Sequence, residues 1–178
     1  MAENARVNRL IERMTISGLD GLALNPGPSQ AYLIGAHFYL FERPVVVLFS
    51  PTRPPAMVLP ALEVTKAEQA PLVMELFPYQ DNPATWQDAF TRAFDYMGWT
   101  NQKGVKIGIE EGAFRLLEAR FFSTAMPSVK LVHTNLVAGL RVQKDEIEIA
   151  RIRQAVKIAE AGMAATLPLV KIGMTEQE

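Results

Sequence analysis

The sequence predicts an α/β fold: a mixed sheet of about five to six strands, mostly parallel with one antiparallel hairpin, helices on both faces, and one long C-terminal helix. Three observations lead there. Helical and strand hydrophobic periods alternate along residues 1–139. Two β-rich runs, Val45–Phe49 and Ala56–Leu59, are joined only by the turn Ser50–Pro55, so they pair antiparallel and the sheet is not purely parallel. From about residue 145 to 166 the pattern is a single uninterrupted helix.

In order, residues 5–17 read as an amphipathic helix, with Val7, Leu10, Ile11 and Met14 on one face and Arg6, Arg9 and Arg13 in solvent. Asn4 is placed to cap it and Gly18 to end it. Leu19–Leu24 is a short buried strand. Asn25-Pro26-Gly27-Pro28-Ser29 is turn chemistry in which Ser29 can cap a short helix through Ile34 to Gly35. After the hairpin come a helix over about 62–70, a strand over 72–77, and a helix opened by Asn82-Pro83. That helix carries Trp86, Ala89, Phe90, Ala93, Phe94 and Met97 as one stripe, which reads as core packing rather than a ligand box, and Gly98 ends it. Residues 105–109 form a strand, 113–123 a helix with Leu116, Leu117 and Phe121 inward, and 129–132 a strand.

The last helix opens on Asp145, with Glu148 three residues on in the arrangement of a capping box. Ile149, Ile152, Val156, Ala159 and Met163 share one face, a stripe wider than the edge of one small domain requires. That surface needs a cover, and another copy of the chain is one candidate. Thr175 and Glu178 repeat the S/T-x-x-E pattern, so the sequence reads as cut where another domain begins.

At 178 residues the chain is long enough for one domain with a sizeable core and an appendage. Its apolar fraction of 49% and charged fraction of 21% are those of a globular protein. A net charge of −1 supplies no electrostatic footprint for nucleic acid or an anionic membrane. No apolar run reaches roughly 18 residues, and Met1–Arg6 lacks the apolar core of a signal peptide. The absence of cysteine excludes disulfides, thiolate metal sites and cysteine nucleophiles. These features fit a cytoplasmic protein.

Catalytic parts are scarce. A nucleophile needs a base, and the histidines are His37 and His133. His133 ends a strand, where the backbone can satisfy it. His37 lies in the loop Gly35–Arg43, unusually aromatic for a loop: either Phe38, Tyr39 and Phe41 fold back onto the core, or they stand out to cover something. There is no H-x-x-x-H, no C-x-x-C and no Asp/His cluster at ligand spacing. Glu110 and Glu111 leave a strand on opposite faces and read as an acid pair at a helix N-terminus. Asn25–Pro28 follows the first strand without the glycines or lysine of a phosphate cradle. The chain therefore offers no catalytic and no metal residue of its own.

Several stretches resemble the N-terminal domain of the creatinase/prolidase/Xaa-Pro aminopeptidase family, the pita-bread metallopeptidases. These are the opening helix Arg6–Met14 with Gly18-Leu19-Asp20-Gly21, then Tyr32-Leu33-Ile34-Gly35, Glu42-Arg43-Pro44 leading into Val45–Phe49, and Ile107-Gly108-Ile109-Glu110. Leu140-Arg141 with Lys144 and the acid pair Asp145-Glu146, through Ala155, resembles the hinge into the family's catalytic domain, and Gly173-Met174-Thr175-Glu176 its next helix start.

The resemblance implies a creatinase/prolidase N-terminal domain over 1–139, then a hinge and the first helix of a truncated pita-bread domain over 140–178. It implies a non-catalytic, dimerising and substrate-gating role in a prolidase-like Xaa-Pro peptidase, a hydrolase acting on proline-containing peptides. Two divalent metal ions (Mn, Co or Zn) would be bound beyond Glu178, with none in this fragment. The loop after Gly35 matches the family's partner-reaching loop, which makes His37, Phe38, Tyr39 and Arg43 the substrate-gating candidates. The parent is then a homodimer that binds neither nucleic acid nor membrane. The alternatives are a non-enzymatic protein- or ligand-binding module of the same fold, a creatinase-like amidinohydrolase, and a free-standing small-molecule-binding α/β domain.

Overall fold

The computed structural model describes residues 2–175 and 177. The chain forms two compact units divided after Arg141. The first holds helix α1 (Ala2–Ile16), strand β1 (Gly21–Leu24), α2 (Pro28–Ile34), β2 (Val46–Phe49), β3 (Ala56–Pro60), α3 (Val64–Glu68) and β4 (Glu75–Tyr79). After these come α4 (Trp86–Tyr96), β5 (Lys106–Ile109), α5 (Leu116–Ala125), β6 (Lys130–His133) and α6 (Leu136–Val142), the last residue of which opens the second unit.

The six strands stand in the order β4-β3-β2-β1-β5-β6. β2 runs against both neighbours, β1 and β3, and the other three pairings are parallel. The Ser50–Pro55 turn forces that reversal, because a short connection joins only antiparallel strands. The mixed, mostly parallel sheet is thus as the sequence predicts.

Period-2 alternation then sorts the side chains into two cores. Ala23, Val46, Leu48, Ala56, Val58 and Ile107 face one layer, with Trp86, Phe90 and Phe94 of α4 and Phe121 and Phe122 of α5. Leu22, Leu24, Val47, Phe49, Met57 and Leu59 face the other, with Leu10 and Met14 of α1, Leu33 and Ile34 of α2, and Val137 and Leu140 of α6. The first core is aromatic: Phe90 stacks on Phe121 at 4.5 Å and Phe94 meets Phe122 at 4.4 Å between ring centroids.

Two helices end alike. The N–H of Gly18 bonds the carbonyl of Thr15 and that of Leu19 the carbonyl of Met14; Gly98 and Trp99 repeat this on Asp95 and Phe94. This is the Schellman motif, which needs the left-handed conformation that Gly18 and Gly98 adopt at φ 63° and 75°. Trp99 completes the second one by packing 6.1 Å from Phe94.

Several elements differ from expectation. β4 lies at 75–79 rather than 72–77, because the Leu72 N–H is drawn to the carbonyl of Ile34, and pairing with β3 begins only at Glu75. The 62–70 helix is a 3₁₀ turn, Ala61–Glu63, followed by the short α3. α5 starts at Leu116, since the N–H groups of Ala113 and Phe114 both turn back onto the Glu110 carbonyl. That delay rotates Leu116 into solvent, at 89% exposure, and turns Phe122 inward. Glu110 and Glu111 therefore belong to a turn and do not open the helix. Asn4 lies inside α1, and Gly27, not Ser29, caps α2. α6 has no counterpart in the sequence reading, where residues 136–139 close the first domain and 140–142 begin the hinge.

The sheet's outer strands are β4, which carries Pro78 and Glu75, and β6, four residues long and led by Lys130. In the second unit, α7 (Glu146–Thr166) opens on the expected capping box. The Glu148 N–H donates to Asp145 Oδ1 at 2.8 Å, and the Asp145 N–H donates to Glu148 Oε2 at 2.9 Å. None of its residues is buried, and Ile152, Val156 and Met163 are exposed. The Thr175–Glu178 pair falls on Glu178, outside the described residues.

Gly21 has no room for a side chain, because a Cβ there would stand 2.2 Å from Trp99 Cζ2 and 2.7 Å from Ile107 Cδ1. Gly21→Ala should lower unfolding free energy by about 1–3 kcal/mol in urea titrations. Gly112→Ala, where a Cβ meets open space, should stay within about 0.5 kcal/mol.

Candidate functional site

Parallel strands share a direction, so the exits of β1, β3, β4, β5 and β6 gather at one end of the sheet, where open α/β sheets bind ligands. β2 enters from that same end, and the aromatic loop at residues 35–45 delivers it.

The loop divides its aromatic residues. Phe38 is 6% exposed and packs in the core beside α1 and α2. Tyr39 and Phe41 stand out at 67% and 63%, their rings 5.8 Å apart. The loop thus folds Phe38 back onto the core and leaves Tyr39 and Phe41 in solvent. Lys66 Nζ of α3 sits 4.6 Å from the Phe38 ring centroid and 5.5 Å from that of Tyr39, within cation–π range.

Beside Tyr39 and Phe41 opens a cleft of about 260 Å³. Val45 and Pro60 are its buried apolar lining; Glu42, Arg43, Leu62 and Glu63 complete it. Arg43 Nη2 lies 3.3 Å from Asp81 Oδ1, an exposed pair worth little in stability. The cleft thus brings Tyr39 and Arg43 together, while Phe38 lies in the core and His37, though exposed, is not part of the lining.

Two side chains, buried Tyr79 and half-buried Arg115, support the loop from behind. The Tyr79 hydroxyl donates to the carbonyl of Pro44 at 2.7 Å. Burial pushes the Tyr79 phenol well above its ordinary range, opposed by Arg43 and Arg115 and assisted by Glu118 and Asp81. Arg115 donates through Nη1 to the carbonyl of Phe41, and its other nitrogens hold the carboxylate of Glu118.

The lining contains no Ser, Thr, Cys or His; its parts are aromatic faces, a short apolar floor and charges of both signs. Other polar contacts at this end include Ser29 Oγ donating to Glu110 Oε1 at 2.7 Å and His133 Nδ1 at 3.8 Å from Glu111 Oε2. Among the described residues no group of three or more His, Asp or Glu could hold a metal ion. Nor is any helix among them long and apolar enough to cross a membrane.

Tyr79, Lys66, Arg115 and Glu118 escape the sequence reading. Glu118 does carry a signal: a single acid three residues before the paired Phe121-Phe122 lies on the inward face of an amphipathic helix, where a carboxylate needs a partner.

A three-layer α/β domain with an exposed aromatic loop at the carboxyl end of a mixed sheet is the class of protein defined by these features. The chain belongs to the creatinase/prolidase N-terminal domain family, whose profile matches residues 6–143. It is 25% identical over 148 residues to "Probable dipeptidase PepE" of Mycobacterium bovis, a match covering 78% of this chain and 36% of that one. The prolidase of Thermococcus sibiricus superposes with a TM-score of 0.84 at 19% identity, over 100% of this chain and 47% of that one. The creatinase/prolidase N-terminal domain of an X-Pro dipeptidase from Streptococcus pyogenes superposes at 0.63 with 18% identity, over 74% of this chain and 95% of that one. At these identities the superpositions show a shared fold. The chain spans about a third or less of the curated relatives' own length, 36% of one and 24% of another.

Because folding holds Tyr79 protonated, its contribution is whole below the unfolded value of about pH 10 and is lost as pH rises from there towards the higher folded value. Urea midpoints should fall above about pH 10, and fall less steeply in Tyr79→Phe. At neutral pH that variant should lose about 1–2 kcal/mol, since the Pro44 carbonyl is left unbonded.

Proposed function

We propose that this chain is the non-catalytic, dimerising and substrate-gating N-terminal domain of a prolidase-like Xaa-Pro peptidase. Residues 1–139 form that domain, and 140–178 supply the hinge and first helix of a pita-bread catalytic domain. The observation that carries the reading is the exposed Tyr39–Phe41 pair beside Arg43, held at the carboxyl end of the sheet around a cleft lined by no Ser, Thr, Cys or His. Such a surface can sort peptides by shape and charge while chemistry proceeds elsewhere.

The family match and the dipeptidase names of its relatives support a peptidase parent. We take that parent to be a cytoplasmic homodimer acting on proline-containing peptides. In that parent, two divalent metal ions (Mn, Co or Zn), bound by residues beyond Glu178, would activate the water that hydrolyses the bond before proline. His37, Phe38, Tyr39 and Arg43 remain the gating set. Tyr39 and Arg43 act at the cleft, Phe38 roots the loop, and His37 stands beside them. The aromatic and charged cleft also suits a second reading, a protein- or ligand-binding module of the same fold without peptidase activity.

In the full-length parent, Tyr39→Ala and Arg43→Ala should each change kcat/KM on Xaa-Pro dipeptides by roughly tenfold, about 1.4 kcal/mol, with metal content unchanged. Kinetics that stay the same across several peptides would remove the gating role. Light scattering on the chain with and without residues 145–178 should find both forms dimeric. A trimmed form that is monomeric would move the association to the last helix, and two monomers would end the dimerisation role.

A further inference from the structure

We propose that Arg115 is a positioning residue for the aromatic loop, and that the buried carboxylate of Glu118 holds it in that role. The inference rests on the reading that this loop faces substrate or partner, and it concerns what fixes the loop's shape.

Among the described residues, residues 36–43 take part in no backbone–backbone hydrogen bond, so side chains from neighbouring elements must set the loop's course. Each end has an anchor. Phe38 is buried under Lys66, and Tyr79 bonds the carbonyl of Pro44. Between them the exposed tip Tyr39-Leu40-Phe41 has, among the described residues, one hydrogen bond from the body of the domain, from Arg115 Nη1 to the carbonyl of Phe41, across 74 positions of sequence.

Arg115 is itself oriented. Its Nε lies 3.0 and 3.1 Å from the two carboxylate oxygens of Glu118, and Nη2 also donates to Oε1. Glu118 is 0% exposed. A buried ion pair is weak evidence for stability, because apolar residues of similar volume often serve as well. What the pair supplies here is direction. With one edge of the guanidinium fixed on the carboxylate, the remaining nitrogen can only point at the loop, a geometry that a lysine ammonium does not reproduce. Phe41 is also part of the cleft lining, so the same bond sets the cleft's shape.

The test uses the 178-residue chain and ¹⁵N relaxation of residues 39–42. Wild type and Arg92→Ala, which removes an exposed pair on α4, should show order parameters near the rigid value of about 0.85. Arg115→Ala and Glu118→Gln should lower them below about 0.6 while the β2 amides stay rigid. Removing one partner of a buried pair can unfold a domain, so the double variant Arg115→Ala/Glu118→Leu, which removes the buried charge with its partner, decides the matter. It should fold with a near wild-type urea midpoint and still have a loose loop. A rigid loop in the double variant, or equal loosening of loop and β2, overturns the assignment. Either result is independent of gating: unchanged peptide kinetics in Tyr39→Ala would end the gating role and leave the order parameters where they are.

Discussion

Strand β2 is buried on both faces and reversed against both neighbours, and the rest of the first unit depends on that placement. Val46 and Leu48 go to the aromatic layer, Val47 and Phe49 to the layer of α1 and α2, so four consecutive residues tie two cores together. A slip of one residue in its pairing would exchange these sets and misplace every contact on both faces. The reversal also makes β2 start where its neighbours end, which brings its entry loop to the end of the sheet where ligand-binding loops collect.

From that constraint follows a division of labour along the chain. α4 and α5 press a nearly continuous aromatic surface on one face, while shorter aliphatic contacts from α1, α2 and α6 cover the other. The aromatic loop and its cleft lie at the seam between them, with support from both sides. Lys66 and the root of Phe38 belong to the aliphatic side, Arg115 and Glu118 to α5. Neither core reaches the tip residues Tyr39 and Phe41, which remain available to meet another molecule.

How much of this was legible in the sequence depended on the range of the forces involved. Local periodicity revealed the α4 stripe, the hairpin and the Asp145 cap, because each is settled by residues a few positions apart. It failed where a distant partner decided the outcome. Leu72 looked like a strand until its N–H was claimed by Ile34, and Ser29 looked like a cap although its hydroxyl goes to Glu110, 81 positions away. At the candidate site, Tyr39 and Arg43 were visible as polar and aromatic residues in a loop. Tyr79 and Arg115, which bond the carbonyls beside them, were not, since nothing local links position 115 to position 41.

The outer strands carry a further consequence. Pro78 interrupts the donors of β4, and Glu75 and Lys130 place charge along the two borders of the sheet, the means by which proteins discourage strand-to-strand joining. Both borders thus disfavour extension of the sheet by the ladder of a second molecule. A neighbour that meets this unit is steered toward its side chains, whose shapes distinguish one partner from another.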